Sequence, residues 1–181
     1  MAQWRHRLPN EWESSNERFR QVLKEAMETI TNKTTYLTFR ERSPAETSHA
    51  VRFTDSSSGC FAYMGRRSYE LKLGRGCVFK GIAIHELMHV AGRHHVHMRG
   101  DRDNFITINE ENIQRGKERN FAKLSLSSSR YDHNLPYDYD SIMHCKPFHY
   151  SWQIRPSNNA IIIHYYPQSL LACGISGLIH K

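Results

Sequence analysis

Apolar side chains recur every three or four residues near the start of the chain. This spacing places them on one face of a helix, so it predicts an amphipathic helix over residues 14–30. Ser14 and Glu17 are three residues apart and fit a capping box at the start of that helix. The apolar positions are Phe19, Val22, Leu23, Ala26, Met27 and Ile30.

Short runs of β-forming residues follow this helix. The segments 34–39, 49–53 and 60–65 are each predicted to be a strand, with "DSSSG" as the turn between the last two. A second helix is predicted within "VFKGIAIHELMHVAG". It is expected to stop at Gly92, because glycine readily adopts the left-handed backbone that ends helices.

The second half of the chain has a different composition. "NEENIQRGKERNFAKL" predicts one more helix, whereas residues 125–146 are rich in Ser, Asp, Asn, Pro and Tyr and are expected to be irregular. The order is therefore a helix, several strands, a helix and a loop-rich half. This order predicts an α+β fold with a site between two lobes.

The length and composition of the chain are those of one folded domain. The chain has 181 residues, of which 39% are hydrophobic, so we expect residues 1–181 to form a single domain with a buried core. No apolar run approaches the ~20 residues that a membrane span needs. The segment "MAQWRHRLPNEWESSNERF" lacks the apolar stretch of a signal peptide, so none is expected in this chain.

The net charge of +7 raises the question of a nucleic-acid partner. The basic residues are scattered, and acidic residues interrupt them in "RGDRD" and "NEEN". A solvated basic surface explains this pattern better than a nucleic-acid interface does. We therefore expect no nucleic-acid partner.

Four cysteines are present, and no two of them form a CxxC pair, which argues against a zinc ribbon. Cys60 and Cys77 bound a short segment that is typical of a loop closed by a disulfide. The alternative is that all four cysteines are free buried thiols. Asn32-Lys33-Thr34 is a glycosylation sequon, a weak signal because such triplets often arise by chance.

The richest chemistry lies in "GIAIHELMHVAGRHHVHMRGDRD", residues 81–103. His85 and His89 are four residues apart, so on a helix both project from the same face and both can reach one metal ion. Glu86 stays beside that site and can accept a proton from a metal-activated water. The alternative is a histidine-rich surface patch that binds metals loosely.

A catalytic zinc takes three protein ligands and leaves one position open. Glu110 or Glu111, some twenty residues downstream, could supply the third ligand. His95 could also supply it, at the spacing x-x-His after Gly92. "YDYDSIMHC" favours His95, because a HExxHxxGxxH motif followed by a turn that carries a methionine, here Met143, is the metzincin signature.

The chain resembles the astacin family of zinc endopeptidases. "HELMHVAGRHH" with "RGDRDNFITINEENI" is similar to the family's zinc helix and its continuation, and "YDYDSIMH" is similar to its Met-turn. "GCFAYMGR" with "GRGC" resembles its cysteine-bounded strand and loop, and "WRHRLPNEW" resembles the start of its mature domain. The resemblance runs from about residue 4 to about residue 163. It implies a two-lobed metzincin domain with zinc at the bottom of a cleft.

The resemblance also implies roles for individual residues. His85, His89 and His95 would bind one zinc ion per chain, Glu86 would be the general base and acid, and Met143 would lie beneath the metal. The reaction would be hydrolysis of a peptide bond by a zinc-activated water.

The resemblance also implies a disulfide, a substrate-binding strand and a cellular location. Cys60 would pair with Cys77, and the strand Phe61–Gly65 would be an exposed edge that binds an extended peptide. The protein would be a secreted monomer whose partners are peptide or protein substrates.

Several positions depart from the family pattern. Val96 stands where the family has a glutamate that receives the mature N-terminus, and valine cannot form that ion pair. Tyr36 replaces a cysteine of the family's second disulfide, and the C-terminal end of the chain reads as truncated or divergent. Cys145 replaces a tyrosine that can donate a hydrogen bond in the transition state, which predicts a slow enzyme. The alternative function is a pseudo-protease that binds zinc and peptides or protein partners without cleaving them.

Overall fold

The computed structural model describes residues 6–47, 50–56, 59–65, 69–108, 110–113, 115–124, 135–144, 152–154 and 161–163. The described residues form two units, one within 6–93 and the other within 94–163. Among these residues, no helix is both long enough and apolar enough to cross a membrane.

Helix α1 spans Glu17–Lys33, three residues later than the sequence predicted. The predicted capping box is wrong, because the N-cap is Asn16, whose side-chain oxygen accepts a hydrogen bond from the backbone N–H of Phe19 at 3.2 Å. Ser14 instead accepts the backbone N–H of Asn16 at 3.1 Å. The predicted apolar face is buried at Phe19, Leu23, Ala26 and Ile30.

The first unit contains a five-stranded sheet. Its strands are β1 (His6–Trp12), β2 (Leu37–Glu41), β3 (Val51–Ser56), β4 (Cys60–Met64) and β5 (Tyr69–Gly74), in the spatial order β2-β1-β3-β5-β4. All neighbours run parallel except β4, which is antiparallel to β5. Helix α1 and a second helix, α2 (Lys80–Val90), share one apolar core with this sheet.

Three of these strands match the predicted segments within a few residues, but β1 and β5 were not predicted. Strand β1 contains Pro9 and several polar residues, which argue against a strand. Pro9 lies in the half of β1 that pairs only with β2, so the missing N–H costs little. Strand β5 does carry a signal, since Leu71 and Leu73 are buried and alternate with the half-buried Glu70 and Lys72.

A disulfide joins Cys60 to Cys77, with 5.9 Å between their Cα atoms. Both cysteines are buried. The predicted pairing is therefore present in the structure. The disulfide ties strand β4, at the edge of the sheet, to the turn that leads into α2.

We expect the double variant Cys60→Ala with Cys77→Ala to lose about 2–4 kcal/mol of unfolding free energy, because the unfolded chain regains the freedom that the cross-link removes. Urea denaturation followed by tryptophan fluorescence would measure this loss. Cys145→Ala is the matched control, since it removes a cysteine outside the pair. Equal denaturation midpoints for the double variant and the wild type would contradict the prediction.

The second unit contains a three-stranded sheet and short 3₁₀ helices. Its strands are β6 (Ile106–Ile108), β7 (Trp152–Ile154) and β8 (Ile161–Ile163), in the order β6-β8-β7. The helix predicted in "NEENIQRGKERNFAKL" is wrong, because two 3₁₀ helices, Glu110–Asn112 and Glu118–Phe121, replace it. Gly116 lies between them with a φ of 86°, a left-handed conformation that no α-helix continues through.

Candidate metal centre

Helix α2 carries the first two predicted ligands. His85 and His89 are one turn apart, are only 6% and 4% exposed, and have Nε2 atoms 3.1 Å apart. Two nitrogens that each bind a tetrahedral zinc at ~2.0–2.1 Å would lie about 3.4 Å apart. The separation of the two nitrogens is therefore close to what a shared zinc ion would need.

The end of α2 is built as the sequence predicted. Gly92 has a φ of 85°, and its N–H donates to the carbonyl of His89 at 2.8 Å. The N–H of Arg93 donates to the carbonyl of Met88 at 2.9 Å, which completes a Schellman motif. The chain thus turns sharply within a few residues of His89.

This turn also fixes the tautomer of one ligand. The backbone carbonyl of Arg93 lies 2.7 Å from Nδ1 of His89. A carbonyl oxygen can only accept, so Nδ1 carries the proton and Nε2 keeps its lone pair for a metal. Metal-binding histidines commonly have such an outer partner. Sequence reasoning missed this one because a backbone carbonyl leaves no signal in the residue type.

His95 follows the turn and is only 4% exposed. The ligand atoms of His85, His89 and His95 all lie within 4.8 Å of one another, and this is the one such group of three among the described residues. Three buried imidazoles with no carboxylate are a donor set that suits zinc. The histidines therefore fit the metal that the sequence suggested.

The ring of His95 is held by its neighbours. It stacks on the ring of His97, with centroids 5.2 Å apart and an interplanar angle of 18°. His97 is fully buried, contacts Phe121 at 5.5 Å, and has its Nε2 2.9 Å from the carbonyl oxygen of Asn120. The orientation of His95 is therefore set by aromatic packing that is itself anchored to the backbone.

Glu86 is fully buried. Burial raises the pKa of its carboxyl to about 8, because a negative charge loses its hydration there. Neither carboxyl oxygen has a partner in hydrogen-bonding geometry among the described residues. Burial thus favours the protonated form, whereas the positive charge of a zinc ion held by the neighbouring histidines would favour the carboxylate that accepts a proton.

The predicted Met-turn is present at Ser141–His144. The N–H of Met143 donates to Oγ of Ser141 at 3.2 Å, and the N–H of His144 donates to the carbonyl of Ser141 at 2.9 Å. The carbonyl of Met143 accepts the N–H of Val96 at 3.0 Å. The turn is therefore bonded directly to the residue after His95.

Two arginines of "RGDRD" are buried, although charged side chains usually lie on the surface. Arg99 is 6% exposed and donates to the carbonyls of Leu135 and Pro136 at 3.0 and 3.1 Å, and it forms an ion pair with Asp101 at 2.7 Å. That carboxylate raises the pKa of the Arg99 guanidinium. Arg99 thus fixes the chain that leads into the Met-turn.

Arg102 is 7% exposed and donates to the carbonyl of His97 at 3.0 Å and to that of Phe121. It therefore joins His97 to Phe121, whose ring packs against that of His97. Hydrogen bonds from Lys123 and then from Arg102 lower the pKa of the Asp103 carboxyl. Arg99 and Arg102 thus stabilise the fold through buried hydrogen bonds and do not contribute to a basic surface.

The other candidate residues lie elsewhere. Glu110 and Glu111, the alternative third ligands, are both exposed in a 3₁₀ helix. Tyr36 is 60% exposed. Val96 opens the 3₁₀ helix Val96–Met98. Cys145 lies outside the described residues, so the expectation attached to it stays a prediction.

A model of one known protein family matches most of the chain. The model of the Astacin peptidase family matches residues 1–165. The dorsal-ventral patterning protein tolloid of Drosophila melanogaster is 43% identical over 113 residues, which cover 61% of this chain and 10% of tolloid. Zinc metalloproteinase nas-7 of Caenorhabditis elegans is 47% identical over 94 residues, which cover 51% of this chain and 24% of nas-7. The chain thus spans about a tenth to a quarter of the length of these curated relatives.

Two solved structures have similar folds. High choriolytic enzyme 1, a hatching enzyme zinc-protease from Oryzias latipes, aligns with a TM-score of 0.69 and 28% identity over 93% of this chain and 82% of its own. Myroilysin aligns with a TM-score of 0.55 and 19% identity over 77% of each chain, which supports the fold alone. Together they confirm the predicted α+β class.

Proposed function

Because this chain belongs to the astacin family of peptidases, we propose that it is a zinc metalloendopeptidase that hydrolyses peptide bonds in peptide or protein substrates. The observation that carries the proposal is the group of three buried histidines with a buried glutamate beside it. Both features are costly to bury without a use.

His85, His89 and His95 would hold one zinc ion. Bound zinc would polarise the substrate carbonyl and lower the pKa of a water molecule. Of the histidine side chains, His89 is oriented by the carbonyl of Arg93 and His95 by the ring of His97. Little rearrangement would then be needed when the ion binds.

Glu86 would act as the proton carrier. Its carboxylate would accept a proton from the attacking water and later give it to the leaving amine, so it returns to its starting state in each cycle. Two features support this role. Its carboxyl group is fully buried, and neither oxygen has a hydrogen-bond partner among the described residues.

The substrate would bind along strand β4. This strand pairs with β5 on one side only and, among the described strands, forms an edge of its sheet. An extended peptide could add to that edge through backbone hydrogen bonds. Phe61 and Tyr63 are half-buried and alternate with the buried Cys60 and Ala62, so they would contact the substrate's neighbouring side chains.

The extracellular space is the proposed location, and a single chain is the proposed active form. The Cys60–Cys77 disulfide supports the location, because disulfides persist in oxidising compartments. Nucleic acid is not a proposed partner, since buried arginines and scattered surface charges account for the basic residues around the site.

Digestion of a denatured protein substrate by the purified chain tests the function. We expect cleavage that a zinc chelator abolishes and that added zinc restores. Cleavage that survives removal of all zinc would overturn the zinc mechanism. A chain that retains zinc yet leaves every substrate intact would instead be the zinc-holding pseudo-protease.

A further inference from the structure

The only Asn-X-Ser/Thr triplet in the sequence, Asn32-Lys33-Thr34, lies at the end of helix α1. Asn32 is in the last turn of the helix and is exposed. Thr34 is the C-cap and has extended backbone, with a φ of −127°. The exposed position of Asn32 leaves room for an attached glycan in the folded chain, whereas a chance sequon can also fall in the core.

Asn32 also lines an open pocket of about 350 Å³ between helix α1 and strands β1 and β2. Its apolar wall includes Met27 and Phe39, which are only partly buried against the core. Asn10, 2% exposed, supplies a buried amide to the same pocket. The rest of the lining is largely polar and could hydrogen-bond to sugar hydroxyls, at Lys24, Glu28, Thr31, Arg40 and Glu41. A pocket of this volume accommodates a sugar ring.

A further apolar surface lies close to the sequon. The ring of Tyr36, four residues after Asn32, is 60% exposed. An aromatic ring that is solvated in this way gains stability if a covering group excludes water from it. Four residues of chain span at most about 14 Å, so Tyr36 lies within the reach of a glycan of several sugars on Asn32.

We propose that Asn32 carries an N-linked glycan whose first sugar, an N-acetylglucosamine, occupies this pocket. The donor is an oligosaccharide linked to a polyisoprenyl diphosphate. The amide nitrogen of Asn32 bonds to C1 of the sugar, the bond from C1 to the diphosphate oxygen breaks, and polyisoprenyl diphosphate leaves. The amide proton passes to a base of the transferase. The inference rests on the proposed extracellular location, which the disulfide supports independently, and not on catalysis.

Glycosylation is tested by translating the full chain, behind a cleavable signal sequence, into microsomes. This assay reads attachment during translocation, so it does not depend on folding. We expect one mobility step that peptide N-glycosidase removes. The step should vanish in Asn32→Gln and in Thr34→Ala, and it should persist in Thr34→Ser and in the matched control Thr35→Ala. Absence of a step, or a step that persists in Asn32→Gln, would overturn the proposal.

Occupation of the pocket is tested by peroxide oxidation of the secreted glycoprotein. Met27 should oxidise more slowly before enzymatic removal of the glycan than after it. Met98, half-buried in the other unit, is the internal reference and should oxidise at the same rate in both. Equal rates at Met27 would show that the sugar lies away from the pocket. A chain that acquires no glycan in the microsomes and yet cleaves peptides would overturn this inference and leave the proposed function intact.

Discussion

Glu86→Gln should abolish peptide cleavage while zinc remains bound. Glutamine has nearly the same shape as glutamate, so the fully buried side chain can keep its place in α2 beside His85. The amide cannot take a proton from water, however, and the step that needs a base is lost. General acid–base groups contribute ~10²–10⁴ in rate, which corresponds to about 3–5 kcal/mol in the activation free energy.

Two measurements on one preparation decide this prediction. Zinc content after dialysis should equal that of the wild type, and kcat should fall by ~10²–10⁴. Glu110→Gln is the matched control, because it makes the same chemical change at an exposed glutamate and should leave kcat unchanged. Wild-type turnover by a zinc-loaded Glu86→Gln protein would remove Glu86 from the mechanism.

The local geometry of the candidate site could be predicted because it depends on residue spacing. His85 and His89 are four positions apart in the sequence, and a helix turns that spacing into one shared face. Gly92 could be predicted to end the helix because few other residues adopt a positive φ at low cost, and its φ of 85° agrees. Both predictions follow from backbone geometry that any helix imposes.

The supporting contacts could not be predicted in the same way. The carbonyl of Arg93 holds the ring of His89, but every residue has a carbonyl, so the sequence does not distinguish this one. Arg99 and Arg102 were read as surface charges, because buried arginines are rare unless the fold supplies them with acceptors. Those acceptors are backbone carbonyls that only the folded chain brings near.

The errors in the fold have similar causes. Ser14 and Asn16 are both good N-cap residues, so residue type alone does not decide which of them begins α1. Strand β1 is polar and contains Pro9, so its sequence does not predict a strand, although it pairs with two neighbours in the sheet. Tertiary pairing overrides local propensity in such segments.

His95→Ala should lose zinc, whereas Glu110→Ala and Glu111→Ala should keep it. A comparison of the three variants therefore identifies the third metal ligand. A buried imidazole removed from a group of three leaves two protein ligands, too few for a stable zinc site. The loss of affinity should exceed the ~10–100-fold that removal of an outer partner costs. Both glutamates are exposed, so neither glutamate variant should release zinc.

Zinc content after dialysis against a weak chelator gives the first readout, and thermal unfolding gives the second. A ligand that binds only the folded state raises its stability in proportion to the logarithm of the ligand concentration over Kd. Added zinc should therefore raise the Tm of the wild type and of both glutamate variants, but not that of His95→Ala. His94→Ala is the matched control, because it removes the neighbouring half-buried histidine and should keep the zinc response. A zinc response in His95→Ala that equals the wild type, together with its loss in a glutamate variant, would move the third ligand to the carboxylate.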